Sequence, residues 1–257
     1  MNLRSVTQSA FSLVAVASML AFGGCSRDHI EAINRANEGD QAVKVNVEGA
    51  IQKYEEAVQL DPTNHRILRK LGNAYEKKED WDKMASTMAR AVQVAPDFAD
   101  YWFKRGYALI KQAENGNPDA YNEAKEPLKK CIEKDANFAE CYYFLGQANL
   151  WTLNDQEALA NYTKAIEHDP VNHAMFYPPL GELYVNLRYY KEAEQVLQSG
   201  DESHQAHRGL RQSFVRHVRA SLPGRASEGR QARNGRLNGT RAGSGWRQAS
   251  GDWLQSR

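Results

Sequence analysis

The stretch "YYFLGQANLWTLNDQEALANYTKAIEHDP" (142–170) decides how the rest of the chain is read. It divides into two helical halves. Gly146 lets the first helix approach the second closely, and Ala158 and Ala165 permit the same from the other side. Tyr162 is the large residue that fills the gap between them. Pro170 cannot continue the second helix, so the chain turns there.

The same arrangement recurs on both sides. "LRKLGNAY" (68–75) runs on to Ala91 and Pro96, "WFKRGYAL" (102–109) to Ala124 and "DANF", and "YPPLGELY" (177–184) to Ala193. "GAIQKYEEAVQLDP" (49–62), with Ala50 and Ala57, reads as a second helix whose first helix is degenerate. Gly72, Gly106 and Gly146 hold one place. Tyr54, Met88, Leu128, Tyr162 and Leu197 hold the facing one. Pro62, Pro96 and Pro170 close their units, with Ala136 standing in for one, and Pro62 to Pro96 spans 34 residues. The pattern resembles the tetratricopeptide repeat, a helix–turn–helix unit of that period. The resemblance implies an all-α, right-handed superhelical solenoid of about five repeats over 31–200, at 31–64, 65–98, 99–138, 139–172 and 173–200. The third carries roughly six extra residues around "ENGNPD", where Asn117-Pro118 reads as an N-cap and first helical position. Pro178 and Pro179 predict a late start for the first helix of the fifth.

The N-terminus reads as an export signal over 1–24, followed by a short linker over 25–30. Arg4 is a basic start, and "AFSLVAVASMLAF" (10–22) is an apolar run too short to span a bilayer. "FGGC" (22–25) resembles the bacterial lipobox, although Phe22 stands where that family usually has Leu. The resemblance implies diacylglycerol and N-acyl lipid on Cys25, with no other cofactor. Ser26, rather than Asp, after the cysteine implies the periplasmic face of the outer membrane.

A formal net charge of only +1 hides an asymmetry. Residues 201–257 hold eleven arginines and no lysine, against fourteen lysines and seven arginines over 26–200, so this tail stands outside the repeat pattern. It is a disordered basic arm, a weak cap followed by disorder, or a wrong-frame translation of GC-rich DNA. A break inside a helix that the repeat requires favours the third, so no function is assigned to it.

In a tetratricopeptide array the first helices line a concave groove. The repeat register places Arg35, Arg69, Phe103, Tyr143 and Tyr177 there, with Asn73, Tyr107 and Gln147 one turn on and Arg66 beside them. This groove would be basic at its N-terminal end and aromatic toward its C-terminal end, suited to a peptide carrying acidic and apolar residues. The aromatic residues otherwise pack against neighbouring repeats. The carboxylate clamp of chaperone-binding repeats is rejected, because Lys104, Glu140 and Phe144 occupy its other positions. Cys131 and Cys141 fall on helices that pack together. They form a disulfide in an oxidising compartment or remain two small core residues.

Enzyme chemistry has little support: no phosphate loop, zinc helix or nucleophile elbow is present. His204 and His207 have loose metal spacing within the tail, His168 and His173 flank a turn, and Asn161 lies within a helix. The chain is thus similar to outer-membrane tetratricopeptide lipoproteins, and most to type IV pilus pilotins. That resemblance implies a non-enzymatic adaptor anchored by lipid, with a secretin subunit as client and with neither nucleic acid nor a small-molecule substrate. The alternatives are an adaptor for peptidoglycan hydrolases, or a structural subunit of an envelope or gliding complex.

Overall fold

The computed structural model describes residues 27–170 and 174–205, and every regular element among them is helical. The signal segment, Cys25, His173, His207 and the tail from 206 lie outside the described residues. The chain divides into two compact units, Met1–Pro96 and Asp97–Arg257. The first contains α1 (27–42), α2 (Val47–Leu60), α3 (His65–Lys78) and α4 (Trp81–Val94). The second contains α5 (Ala99–Glu114), α6 (Ala120–Lys134), α7 (Ala139–Trp151), α8 (Asp155–His168), a 3₁₀ turn at Ala174–Phe176, α9 (Tyr177–Asn186) and α10 (Tyr190–Gln205). Within each unit, helices adjacent in sequence pack on one another, the pairing expected of stacked helix–turn–helix repeats. No helix among the described residues is long and apolar enough to cross a membrane.

One contact repeats through every pair. A Cβ built on Gly106 would lie 2.6 Å from Leu128 Cγ, and one on Gly146 would lie 2.8 Å from Tyr162 Cδ1. Gly72 meets Met88, and Gly181 meets Leu197, in the same way. In the first pair the place is held by Gly39, where a Cβ would lie 2.6 Å from the Tyr54 ring. The helix read as degenerate therefore keeps the contact that matters. Facing alanines 50, 57, 158 and 165 are fully buried, which lets the axes draw together.

The partner's stiffness sets the consequence of adding a methyl group. Tyr162 is wholly buried, with its ring 5.7 Å from that of Tyr143, so it has little room to retreat. Met88 meets Gly72 with its terminal methyl, the far end of a flexible chain. Gly146→Ala is therefore expected to destabilise by about 1–2 kcal/mol. Gly72→Ala should be neutral or gain up to about 1 kcal/mol from helix propensity. Urea denaturation of the two variants side by side checks this ordering, and equal losses would refute it.

The turns inside three pairs share one geometry. Glu79, Leu153 and Arg188 adopt φ of 60°, 65° and 66°. The next amide in each case reaches back over the turn: Asp80 N–H donates to Tyr75 O, Asn154 N–H to Asn149 O and Tyr189 N–H to Tyr184 O, at 3.0, 2.9 and 2.8 Å. This is a Schellman ending, in which glycine is the usual left-handed residue. Leu153 carries the conformational strain and is also 70% exposed, so its side chain gains little from packing. Leu153→Gly is expected to stabilise by about 1 kcal/mol, read as a raised denaturation midpoint.

Several expected boundaries move. The segment 25–30 is not all linker, because α1 is already helical at residue 27. The last helix does not stop at 200 but runs to Gln205. Asn117-Pro118 does not start the regular part of α6. Asp119 is its N-cap and makes no side-chain capping bond. Instead Ala120 N–H donates to Asn117 O and Tyr121 N–H to Pro118 O, so one tight 3₁₀-like turn precedes the α-helix. The paired prolines shorten α9 to 10 residues, preceded by the 3₁₀ turn, because Pro lacks the amide that an earlier helical start would use.

Candidate functional site

In the N-terminal unit, Arg35 was expected to lend a groove positive charge. The structure surrounds it with carboxylates. Its guanidinium lies 2.9 Å from Glu31, 3.2 Å from Glu38 and 3.8 Å from Glu56, and Lys53 joins Glu38 and Glu56 at 3.1 and 3.2 Å. The Glu38 charge beside it, helped by Glu31, raises the affinity of Arg35 for its proton further. Arg35 is thus one member of a mixed network whose net charge is not positive. Glu31 and Glu38 stand four and three residues from Arg35 on the same helix and were legible by spacing, whereas the approach of Glu56 and Lys53 depends on how α2 packs.

Arg66 and Arg69 on α3 are exposed, and Asn73 is half-buried one turn beyond Arg69. The Asn73 Oδ1 atom is buried and accepts no hydrogen bond among the described residues. Nearby in sequence, Lys70 bonds Asp40 at 2.5 Å, and the Tyr54 hydroxyl donates to the same carboxylate at 2.8 Å. Asp40, directly after Gly39, fills in the first repeat the place that Asn73 fills in the second. The difference is that Asp40 is satisfied within the fold.

In the C-terminal unit the aromatic residues expected in the groove are buried. Phe103, Tyr107, Tyr143 and Tyr177 are each less than a tenth exposed. Phe103 packs against Phe138 and Phe144, with ring centroids 5.0 and 5.8 Å apart. Tyr107 meets Phe144 edge-on at 5.1 Å, and Tyr143 stacks on Phe176 at 4.9 Å. The Tyr177 hydroxyl donates to Pro170 O at 2.8 Å, and its Cβ abuts Gly200. These side chains join neighbouring repeats, the packing role that the sequence offers as the alternative to binding. Position along the helix decides which residues point inward, but the width of the seam decides whether they are covered.

The seam between α5 and α7 also contains a polar cluster that no motif announced. Lys111 is 6% exposed, and its ammonium lies 2.9 Å from Glu114 Oε2. Gln147 donates to Glu114 Oε1 at 2.7 Å. Burial, with the Glu114 charge adding to it, holds the Tyr143 phenol protonated to well above its ordinary range. Gln147 Oε1 is a second buried side-chain oxygen without a hydrogen bond among the described residues. The available sequence signal was the Lys111/Glu114 spacing of three residues at the end of a lengthened helix.

The Cys131 and Cys141 sulfurs are joined in a disulfide that ties α6 to α7, and both residues are fully buried. His168 is exposed and stacks on Tyr142, while Asn161 donates to Glu157 O within α8. Lys104, Glu140 and Phe144 make no clamp, since Phe144 belongs to the aromatic core.

Comparisons with known proteins accord with this geometry. Residues 46–79 match the family described as TPR repeat, and residues 67–100 match that described as tetratricopeptide repeat. Two curated relatives are Hsp70-Hsp90 organizing protein 2 of Arabidopsis thaliana, 25% identical over 142 residues, and anaphase-promoting complex subunit 3 of Schizosaccharomyces pombe, 22% identical over 138 residues. These matches take in 55% and 54% of this chain but only 22% and 20% of the relatives. Among solved structures, MamA from Desulfovibrio magneticus RS-1 is 18% identical with a TM-score of 0.62, covering 70% of this chain and 98% of that one. YrrB, described as a TPR protein with an unusual peptide-binding site, is 21% identical with a TM-score of 0.59, covering 73% of this chain and 91% of that one. The fold is that of tetratricopeptide solenoid proteins.

Proposed function

We propose that the chain is a non-enzymatic scaffold for protein partners, held by lipid on Cys25 at the periplasmic face of the outer membrane. There it serves as a pilotin-type assembly factor for a secretin of a type IV pilus. The observation that carries the scaffold reading is a pair of unpartnered acceptors, Asn73 Oδ1 in the first unit and Gln147 Oε1 in the second. Buried polar atoms are normally hydrogen-bonded, and these two lie at equivalent places on first helices. A peptide backbone N–H would satisfy either one. Exposed Arg66 and Arg69 beside Asn73 would favour acidic residues in that peptide.

The finer reading rests on the lipobox-like "FGGC" (22–25) directly upstream of the array. A lipid anchor would hold the scaffold at the surface where its client inserts, raising the client's local concentration. Two or three acyl chains make such an anchor stable, whereas one does not.

The test is a pull-down from detergent-solubilised envelopes with the lipidated protein, beside an Arg66→Glu/Arg69→Glu/Asn73→Leu variant. Arg66 and Arg69 are exposed and Asn73 is half-buried, so the variant should fold, and its denaturation midpoint is measured beside the wild type. Alanine at Phe103 or Tyr143 would test the fold instead. A secretin should copurify with the wild type and be lost with the variant. Recovery of wall hydrolases in its place would transfer the reading to a peptidoglycan adaptor. Equal recovery of the secretin by both proteins would remove α3 as the binding surface.

A further inference from the structure

Beyond its first turn the outward face of α1 carries no charge. Ala32, Ala36 and Gly39 are buried and turn toward α2. On the opposite side, at helical spacing, stand Ile30, Ile33, Asn34, Asn37 and Gln41, all exposed. Ile30 is 59% and Ile33 40% exposed, so an apolar patch sits at the N-terminal end of an otherwise neutral stripe. Arg27 and Asp28 stand in the first turn, and the other charged residues of the helix fall elsewhere: Glu31, Arg35 and Glu38 on the flank that meets Lys53 and Glu56, and Asp40 on the flank that meets Lys70 and Tyr54.

The position of this patch relative to Cys25 is decided by chain length. The helix is already formed at residue 27, two residues after Cys25. Two residues reach at most about 7 Å, and Ile30 lies about 4.5 Å of helix rise beyond residue 27. The polar interfacial layer of a bilayer is itself roughly 5–8 Å deep on each side. An acylated Cys25 has its thioether carbon at the base of that layer. Ile30 then lies at most about 12 Å from Cys25, close enough for the first turns of α1 to lie against that layer. Resting on the lipid-anchored reading of Cys25, we infer that α1 lies against the bilayer as an interfacial helix, with Ile30 and Ile33 set among the headgroups and upper acyl chains. The anchor and the helix face then act as two attachments, and the N-terminal unit is held at a defined angle by its first helix rather than swinging on a tether. Arg27, one turn before the patch and exposed, suits the phosphate of an anionic headgroup.

The test uses the full lipidated chain on vesicles of phosphatidylethanolamine and phosphatidylglycerol. Cysteine is introduced singly as Ile30→Cys, Ile33→Cys or Gln93→Cys, the last at an exposed position of α4. With Cys131 and Cys141 bonded and Cys25 acylated, the new thiol alone takes an environment-sensitive fluorophore. Quenching by aqueous iodide should be lost at 30 and 33 and retained at 93. If mass spectrometry finds Cys25 acylated and the chain floats with vesicles, yet all three labels quench alike, the interfacial helix is overturned and the anchor reading survives. If Cys25 carries no acyl chain in envelope-expressed protein, both are overturned. If a lipid-free Cys25→Ser chain already protects 30 and 33, a second copy or another segment covers the face, and the bilayer is the wrong occupant.

Discussion

Lys111→Met is expected to destabilise the C-terminal unit by about 3–5 kcal/mol. The side chains of Lys111 and Glu114 are each only 8% exposed and lie 2.9 Å apart. Removing the cation takes the ammonium from the Glu114 carboxylate in a seam walled by Tyr107 and Tyr143, while Gln147 still donates to its Oε1. A buried carboxylate that loses its cation loses much of what offsets its desolvation. The pair itself need not be strongly stabilising, so Lys111→Met/Glu114→Leu should recover most of the loss. Urea denaturation of the single and double variants supplies the comparison. A single-variant loss below about 1 kcal/mol would mean that water reaches the pair.

Reduction of the Cys131–Cys141 bond is expected to remove about 3 kcal/mol. The bridge closes a loop between residues 10 apart in sequence and ties α6 to α7 at a fully buried point. Its effect falls mainly on the unfolded chain, whose freedom it restricts. The two thiols left behind are small and apolar enough to stay buried, so the fold should persist with a lower midpoint. Denaturation with and without reductant measures this. Under reducing native conditions a maleimide should label neither cysteine until the chain opens. An unchanged midpoint would show that the helix seam alone fixes the geometry. The bond also makes the compartment observable, because protein made in an oxidising envelope should carry it and protein made in a reducing cytosol should not.

The repeats were legible because their signal is local and periodic. A glycine facing a large residue about sixteen positions on can be read from spacing, and Gly72–Met88, Gly146–Tyr162 and Gly181–Leu197 form the contacts that this spacing predicts. Gly39–Tyr54 escaped notice only because the remainder of α1 departs from the pattern. The groove was legible in register but not in exposure. Phe103 and Tyr143 occupy first-helix positions as read, yet their rings close onto Phe138, Phe144 and Phe176 from other elements. Lys111 with Glu114, and Arg35 with Glu56, join groups whose meeting depends on side-chain direction and on neighbouring helices.

By itself the amino-acid order determined the helical class and the glycine seams, because each follows from contacts within one helix–turn–helix unit. Tertiary structure alone decided that the groove aromatics are covered, that Glu56 and Lys53 join the network around Arg35, and that the outer face of α1 beyond its first turn stands exposed. Burial depends on distances between helices, and those distances are set by how whole helices pack rather than by the spacing of residues along any one of them.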